Sequence, residues 1–119
     1  MGSVDSKVDV RKIREEVSSV PVMIYTKNGC SFCTKAKSLF EKEGIEYRES
    51  NVDRVKSDAP EQYKPRVNGL VYMTRHTTMP QIFICGKFVG GYTDLEKLRD
   101  SRELYSMVLS CTEEKNTSD

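Results

Sequence analysis

The chain has 119 residues, with 19 basic against 18 acidic side chains and a net charge of +1. That length suits one domain around a single core, and the balanced charge excludes a protein held on nucleic acid by phosphate contacts. No apolar run approaches the ~20 residues that span a bilayer, so the reading is a soluble protein without a membrane partner.

In chain order, Asp5, Asp9, Arg11, Lys12, Glu15 and Glu16 crowd the first twenty residues and leave no apolar core for a secretory signal. Removal of an organellar presequence ahead of Met1 stays open. Residues 1–6 read as a flexible start. Val10, Ile13, Val17 and Val20 then recur at helical spacing and predict an amphipathic helix, which Ser18, Ser19 and Pro21 end. Val22 to Thr26 is short, apolar and β-branched, the pattern of a strand buried on both faces. Lys27-Asn28-Gly29 is the loop after it.

The next residues, Cys30-Ser31-Phe32-Cys33, open an amphipathic helix whose core face is Ala36, Leu39 and Phe40. The first N–H groups of a helix lack intrahelical partners, and the aligned peptide dipoles leave partial positive charge there. A thiolate at that place is stabilised, and Lys27, Lys35 and Lys37 add positive charge around it. Cys30 is therefore read as a nucleophile with a pKa below the usual ~8.5 of a free thiol. Cys33 lies about one turn deeper, placed to attack a mixed disulfide on Cys30. The same spacing is half of a zinc site, but the chain offers no second half at the usual spacing.

Gly44 marks the end of that helix. Ile45 to Asn51 reads as a second strand, parallel to the first across a β-α-β crossover. From Asp53 to His76 a broken helix and loop are expected, because Pro60 opens a helix, Pro65 interrupts it and Asn68-Gly69 signals a turn. Gln81 to Cys85 reads as a strand, Gly86-Lys87 as a tight turn and Phe88-Val89 as the return strand of an antiparallel hairpin. A last helical region starts at Thr93 or Asp94 as cap, offers Leu95, Leu98, Tyr105, Val108 and Leu109 to the core, and is divided at Ser101-Arg102. Residues 113–119 read as a flexible polar tail. The four cysteines lack the density of a disulfide scaffold, which points to a reducing compartment such as the cytoplasm.

Three motifs now stand in order: the Cys-x-x-Cys after the first strand, Thr78-Met79-Pro80 before the third, and Gly90-Gly91-Tyr92-Thr93-Asp94 before a helix. Through YTKNGCSFCTKAKSLF and TTMPQIFICGKFVGGYTDL, residues 20–111 resemble the glutaredoxin family. The resemblance implies a thioredoxin-like α/β fold, a four-stranded mixed sheet flanked by helices, here with an extra N-terminal helix and a domain over residues 7–112. It implies a cis peptide bond before Pro80, turning the Met79 backbone toward the thiols. It also implies glutathione as co-substrate, with Lys27, Cys30 and Phe32 lining its groove, Thr78, Met79 and Pro80 against its cysteinyl part, and Thr93 and Asp94 at its γ-glutamyl end. A ligand carboxylate suits the N–H groups of a helix start, and the Asp94 carboxylate suits an ammonium.

The chain departs from the family where Cys-Ser-Phe-Cys replaces the common Cys-Pro-Tyr-Cys, and where Thr77 stands at a position that often carries a basic residue. Arg66 and Arg75 are the candidate partners for the glycine carboxylate of glutathione. Cys85 reads as a small buried apolar residue. Cys111 reads as an uninvolved helix cysteine, with glutathionylation or a disulfide left open, and His76 has no sequence support as a catalytic partner. The expected function is glutathione-dependent reduction of protein–glutathione mixed disulfides and protein disulfides by a monomer, through Cys30 with Cys33 resolving. The alternative implied by relatives with serine after the first cysteine is a homodimer holding a [2Fe–2S] cluster through Cys30 and glutathione, as carrier or sensor.

Overall fold

The computed structural model describes residues 8–117, with side chains through residue 112. Residues 1–6, read as a flexible start, lie outside the described residues. The elements run α1 (Val10–Ser18), β1 (Val22–Thr26), α2 (Ser31–Lys42), β2 (Arg48–Asn51), α3 (Val52–Asp58), α4 (Pro60–Thr74), β3 (Gln81–Ile84), β4 (Lys87–Gly90), α5 (Tyr92–Asp100) and α6 (Leu104–Thr117). The last of these carries helical backbone into the stretch read as a tail.

One sheet, ordered β2-β1-β3-β4, has β1 parallel to β2 and antiparallel to β3, with β3 antiparallel to β4. Side chains alternate across a strand, and β1 uses the alternation to feed two cores. Val22 and Ile24 join Ala36, Leu39, Phe40, Ile82, Ile84, Leu95 and Leu104 on the face covered by α2, α5 and α6. Met23 and Tyr25 join Ile13, Val17, Val52, Leu70 and Phe83 on the face covered by α1, α3 and α4. A mixed four-stranded sheet flanked by helices in this order is the thioredoxin-like α/β fold. Because β1 is central and buried throughout, the segment it delivers at its C-terminal end is firmly placed.

The stretch after β2 differs from the sequence reading. Pro65 does not break α4, which runs fifteen residues from Pro60 at its first turn. A helix-interior proline loses one hydrogen bond and crowds the preceding turn; here packing of α4 against α1 outweighs that. The Pro65 carbonyl accepts the Asp9 N–H at 3.0 Å, and Gly69 lets α1 come close. A Cβ built on Gly69 would stand 2.7 Å from Ile13 Cδ1 and 2.9 Å from the Asp9 carbonyl oxygen. Gly69→Ala is therefore expected to destabilise the protein by about 1–3 kcal/mol despite alanine's better helix propensity. Chemical denaturation checks this, and a stability equal to or above the parent contradicts it.

Three smaller differences have local causes. β2 begins at Arg48 instead of Ile45, since Ile45 is drawn into the core beside Phe40. The hairpin turn is Cys85-Gly86, both with positive φ (52° and 82°), so Lys87 already belongs to β4. Tyr105 and Leu109 are 49% and 47% exposed, and Leu104 takes the core position expected of them.

Candidate functional site

The site is assembled where β1 ends, at the N-terminus of α2. Cys30 is the N-cap of α2 in extended conformation, and its Sγ accepts the Cys33 backbone N–H at 3.1 Å. Cys33, one turn on and facing the core, is only 2% exposed. The two sulfurs are joined in a disulfide, with Cα atoms 5.2 Å apart. The division into an outer and an inner sulfur that the spacing predicts is thus present in the burial.

The loop that presents Cys30 is fastened to the start of α3. The Asp53 carboxylate accepts the Asn28 N–H at 2.8 Å, the Asn51 side-chain amide donates to Asn28 Oδ1 at 3.0 Å, and Asn51 Oδ1 caps α3 through Asp53 and Arg54. Beneath the loop, the Thr26 hydroxyl donates to Glu49 at 2.6 Å, and Lys37 forms an ion pair with the same carboxylate at 3.2 Å. Lys37 is therefore neutralised by Glu49, whereas Lys27 has no ion-pair partner among the described residues and remains a net positive charge by the sulfurs. Lys27 lies in a cleft of about 460 Å³ together with Cys30, Cys33, Lys37 and Glu49.

A second cleft, of about 230 Å³, brings together six of the residues singled out in the sequence: Phe32, Thr78, Met79, Pro80, Thr93 and Asp94. The Met79–Pro80 bond is cis, and the Met79 carbonyl oxygen lies 3.6 Å from Cys30 Sγ. Gly91, part of the double-glycine motif, lines it too, and sequence reasoning gave no site role to two further lining residues, His76 and Tyr92. The signal for Tyr92 was an aromatic residue directly after the double glycine. Its ring packs on Phe32 with centroids 6.0 Å apart, and Lys35 stands 5.1 Å above the Phe32 ring from the other helix turn. Desolvation, and secondarily its hydrogen bond to Glu96, raises the Tyr92 phenol above its ordinary range.

Asp94 is not the N-cap of α5; that residue is Gly91, and Asp94 reaches back to accept the Gly91 N–H at 3.0 Å. The position of this carboxylate explains Gly90. At φ 124°, Gly90 has a conformation that L side chains rarely adopt, and a Cβ there would stand 2.8 Å from the Asp94 Cβ and closer still to its carboxylate. Asp94→Ala should lower stability by about 1 kcal/mol through the lost helix-start bond. A thermal melt checks this, and an unchanged melting temperature would mean that the bond contributes nothing to the fold.

Other sequence expectations are corrected. Arg66 is 4% exposed and paired with Glu16 at 3.2 Å, and Glu16 also accepts the Tyr25 hydroxyl at 2.6 Å. The guanidinium is thus buried in the α1–α4–β1 packing and lines neither cleft. Burial, reinforced by Glu16, pushes the Tyr25 phenol upward, so this group stays a neutral donor. Arg75 ends α4 in left-handed conformation (φ 62°), stacks 5.9 Å from Tyr72 and also lines neither cleft. His76 lines the second cleft, but its ring packs edge-on to Phe88 at 5.0 Å. Cys85 is a turn residue bonded to Cys111, so it is not a buried strand residue and Cys111 is not uninvolved.

Comparison with known proteins agrees with this geometry. The glutaredoxin family model matches residues 22–89, which include the cysteine pair, the cis-proline loop and the hairpin. The chain belongs to the glutaredoxin family. It is 34% identical over 102 residues to mitochondrial glutaredoxin-2 of Bos taurus, covering 86% of this chain and 62% of that protein. It is 30% identical over 105 residues to glutaredoxin-2 of Schizosaccharomyces pombe, covering 88% of this chain and 91% of the relative. The chain spans little more than half of some curated relatives, such as the 53% covered of chloroplastic glutaredoxin-C5 from Arabidopsis thaliana. Among solved structures, wheat glutaredoxin superposes with a TM-score of 0.73 at 28% identity, over 84% of this chain and 90% of that one. A buckwheat glutaredoxin–glutathione complex superposes with a TM-score of 0.80 at 24% identity, over 94% and 97%, a likeness of fold. Among the described residues, no helix is long and apolar enough to cross a membrane.

Proposed function

We propose that this glutaredoxin is a glutathione-dependent thiol–disulfide oxidoreductase acting on glutathionylated and disulfide-bonded proteins in a reducing compartment, the cytoplasm in our reading. The observation that carries the proposal is the convergence on one outer sulfur: Cys30 caps α2, the Met79 backbone lies beside it, and the second cleft leads from Phe32 to the start of α5. That cleft offers a peptide-like ligand backbone partners at Met79, helix-start N–H groups at Thr93 and a carboxylate at Asp94. Lys27 in the adjoining cleft, where Lys37 is paired with Glu49, favours the thiolate of Cys30 and suits a carboxylate of glutathione.

In the first half-reaction, the Cys30 thiolate attacks the glutathione sulfur of a protein mixed disulfide, and the client thiolate leaves. A second glutathione thiolate then attacks the Cys30–glutathione bond and departs as glutathione disulfide, restoring Cys30. With a protein disulfide, the Cys30 thiolate attacks one client sulfur, the client disulfide breaks and the first client thiolate leaves. Cys33 then attacks the Cys30 sulfur, the second client thiolate leaves, and the Cys30–Cys33 disulfide seen in the structure forms. Two glutathione molecules reduce it. A groove of about 530 Å³ between α2 and α5, which shares Phe32, Tyr92 and Thr93 with the glutathione cleft, offers the client a surface beside the reacting sulfur.

Turnover of a glutathionylated peptide at rising glutathione concentration tests the proposal. Saturable release of peptide thiol well above uncatalysed exchange is the expected result, and a rate equal to that exchange overturns it. For a [2Fe–2S] cluster, the donor set of one chain does not suffice. No group of three or more candidate ligands gathers among the described residues, and of the two site cysteines Cys33 is buried. Visible charge-transfer absorption after anaerobic reconstitution with iron, sulfide and glutathione would favour that second reading.

A further inference from the structure

A second disulfide lies outside the site, between Cys85 and Cys111, with Cα atoms 5.7 Å apart and 26 residues of separation. Cys85 occupies the first position of the β3–β4 turn at φ 52°, ahead of Gly86 at 82°. A two-residue turn with left-handed backbone at both positions is ordinarily filled by Asn, Asp or Gly, which accept that conformation more readily than cysteine does. The cysteine is there for what its side chain reaches. Its Sγ lies 3.3 Å from the Met107 carbonyl oxygen and 3.6 Å from that of Val108, over the middle of α6.

α6 is otherwise held by one fully buried side chain, Leu104, by the partly buried Met107 and Val108 packed against the same core, and by the Tyr105 hydroxyl, which donates to the Glu43 carbonyl; the Tyr105 and Leu109 side chains stand half in solvent. The Cys85 N–H donates to the Pro21 carbonyl at 2.8 Å, so the bond ties α6 to the end of β1 that lies farthest from Cys30. Neither sulfur lines the clefts of the site, and both residues are partly exposed.

We propose that Cys85 and Cys111 are a second thiol–disulfide couple, outside the catalytic cycle, that glutathione disulfide oxidises and that fastens α6 to the sheet when closed. One thiolate of the pair attacks glutathione disulfide and releases one glutathione. The other thiolate attacks the resulting protein–glutathione bond, closes Cys85–Cys111 and releases the second glutathione. Two electrons and two protons pass from the pair to glutathione disulfide, and excess glutathione reverses the exchange. The inference does not depend on the chemistry assigned to Cys30.

The test uses the full chain carrying Cys30→Ser and Cys33→Ser, equilibrated in glutathione and glutathione disulfide at varied ratio. Alkylation and mass spectrometry count the remaining thiols. Both are expected to vanish together within one chain and to return on reduction, and the oxidised form is expected to melt roughly 10 °C above the reduced form. Adding Cys111→Ser should remove that difference. Thiols that stay alkylatable, a stable glutathione adduct in place of the internal bond, or equal melting of the two forms overturns the proposal. Peptide mapping of the unmodified chain in the same buffers reads the pair without substitutions, and any linkage of Cys85 or Cys111 other than to each other overturns it too. Cys111→Ser alone should leave glutathione-dependent turnover unchanged; a fall would place the pair in the catalytic cycle, against the proposal.

Discussion

Cys30→Ser is expected to abolish both deglutathionylation and protein-disulfide reduction, lowering each at least about a hundredfold, since loss of an attacking nucleophile in other enzymes costs more than that. The serine hydroxyl keeps an acceptor for the Cys33 N–H that now reaches Cys30 Sγ, so the start of α2 should form as before. It lacks an ionised form near neutral pH, and the Met79 carbonyl and the helix N–H groups then surround an inert atom. Initial rates with a glutathionylated peptide and with a protein disulfide, beside a thermal melt within a few degrees of the parent, check this. Residual activity above a few per cent would remove Cys30 from the role of nucleophile.

Cys33→Ser divides the two activities. Removal of glutathione from a protein needs one enzyme sulfur and a second glutathione from solution, whereas a protein disulfide is completed by an internal thiol. Cys33 is 2% exposed and bonded to Cys30, so in the proposed mechanism it acts only on a bond that Cys30 has already formed. The serine variant should keep or exceed parental deglutathionylation, because the Cys30–glutathione intermediate is no longer diverted into the internal disulfide. Its protein-disulfide reduction should fall about tenfold or more. A parallel fall of both rates in a folded variant would mean that Cys33 sets the reactivity of Cys30, and the proposed division of labour would fail.

The sequence was most legible where a local rule and the tertiary structure agree. Val22 to Tyr25 is continuously apolar because β1 is buried on both faces, and Cys30 to Gly44 has a helical core face because α2 covers the sheet. The chemistry lies at the junction of those two elements, so the cysteine pair could be placed without coordinates. The readings failed where a partner distant in sequence decided. Pro65 and Gly69 are helix breakers by propensity, and only α1 lying against α4 reverses that. Arg66 was a reasonable anion partner until Glu16, fifty residues earlier in the chain, took its charge. Cys85 looked like a strand residue because its neighbours are β-formers, and only the Cys111 sulfur on α6 accounts for a cysteine in that turn. His76 enters the cleft through the path of the loop after α4, and Tyr92 as the first residue of α5, positions that no periodicity encodes.

In the proposed mechanism the residue that caps α2 also supplies the reacting sulfur. A thiolate is a stronger acceptor than a sulfur committed to a covalent bond, so the Cys33 N–H is held most firmly when Cys30 is free and ionised and less firmly once it is bonded. The redox state of the enzyme is therefore written on one backbone amide, whose protection from solvent exchange rises and falls with each cycle of turnover. Charge on a single sulfur becomes, through that amide, fraying or tightening of the helix that carries the resolving thiol.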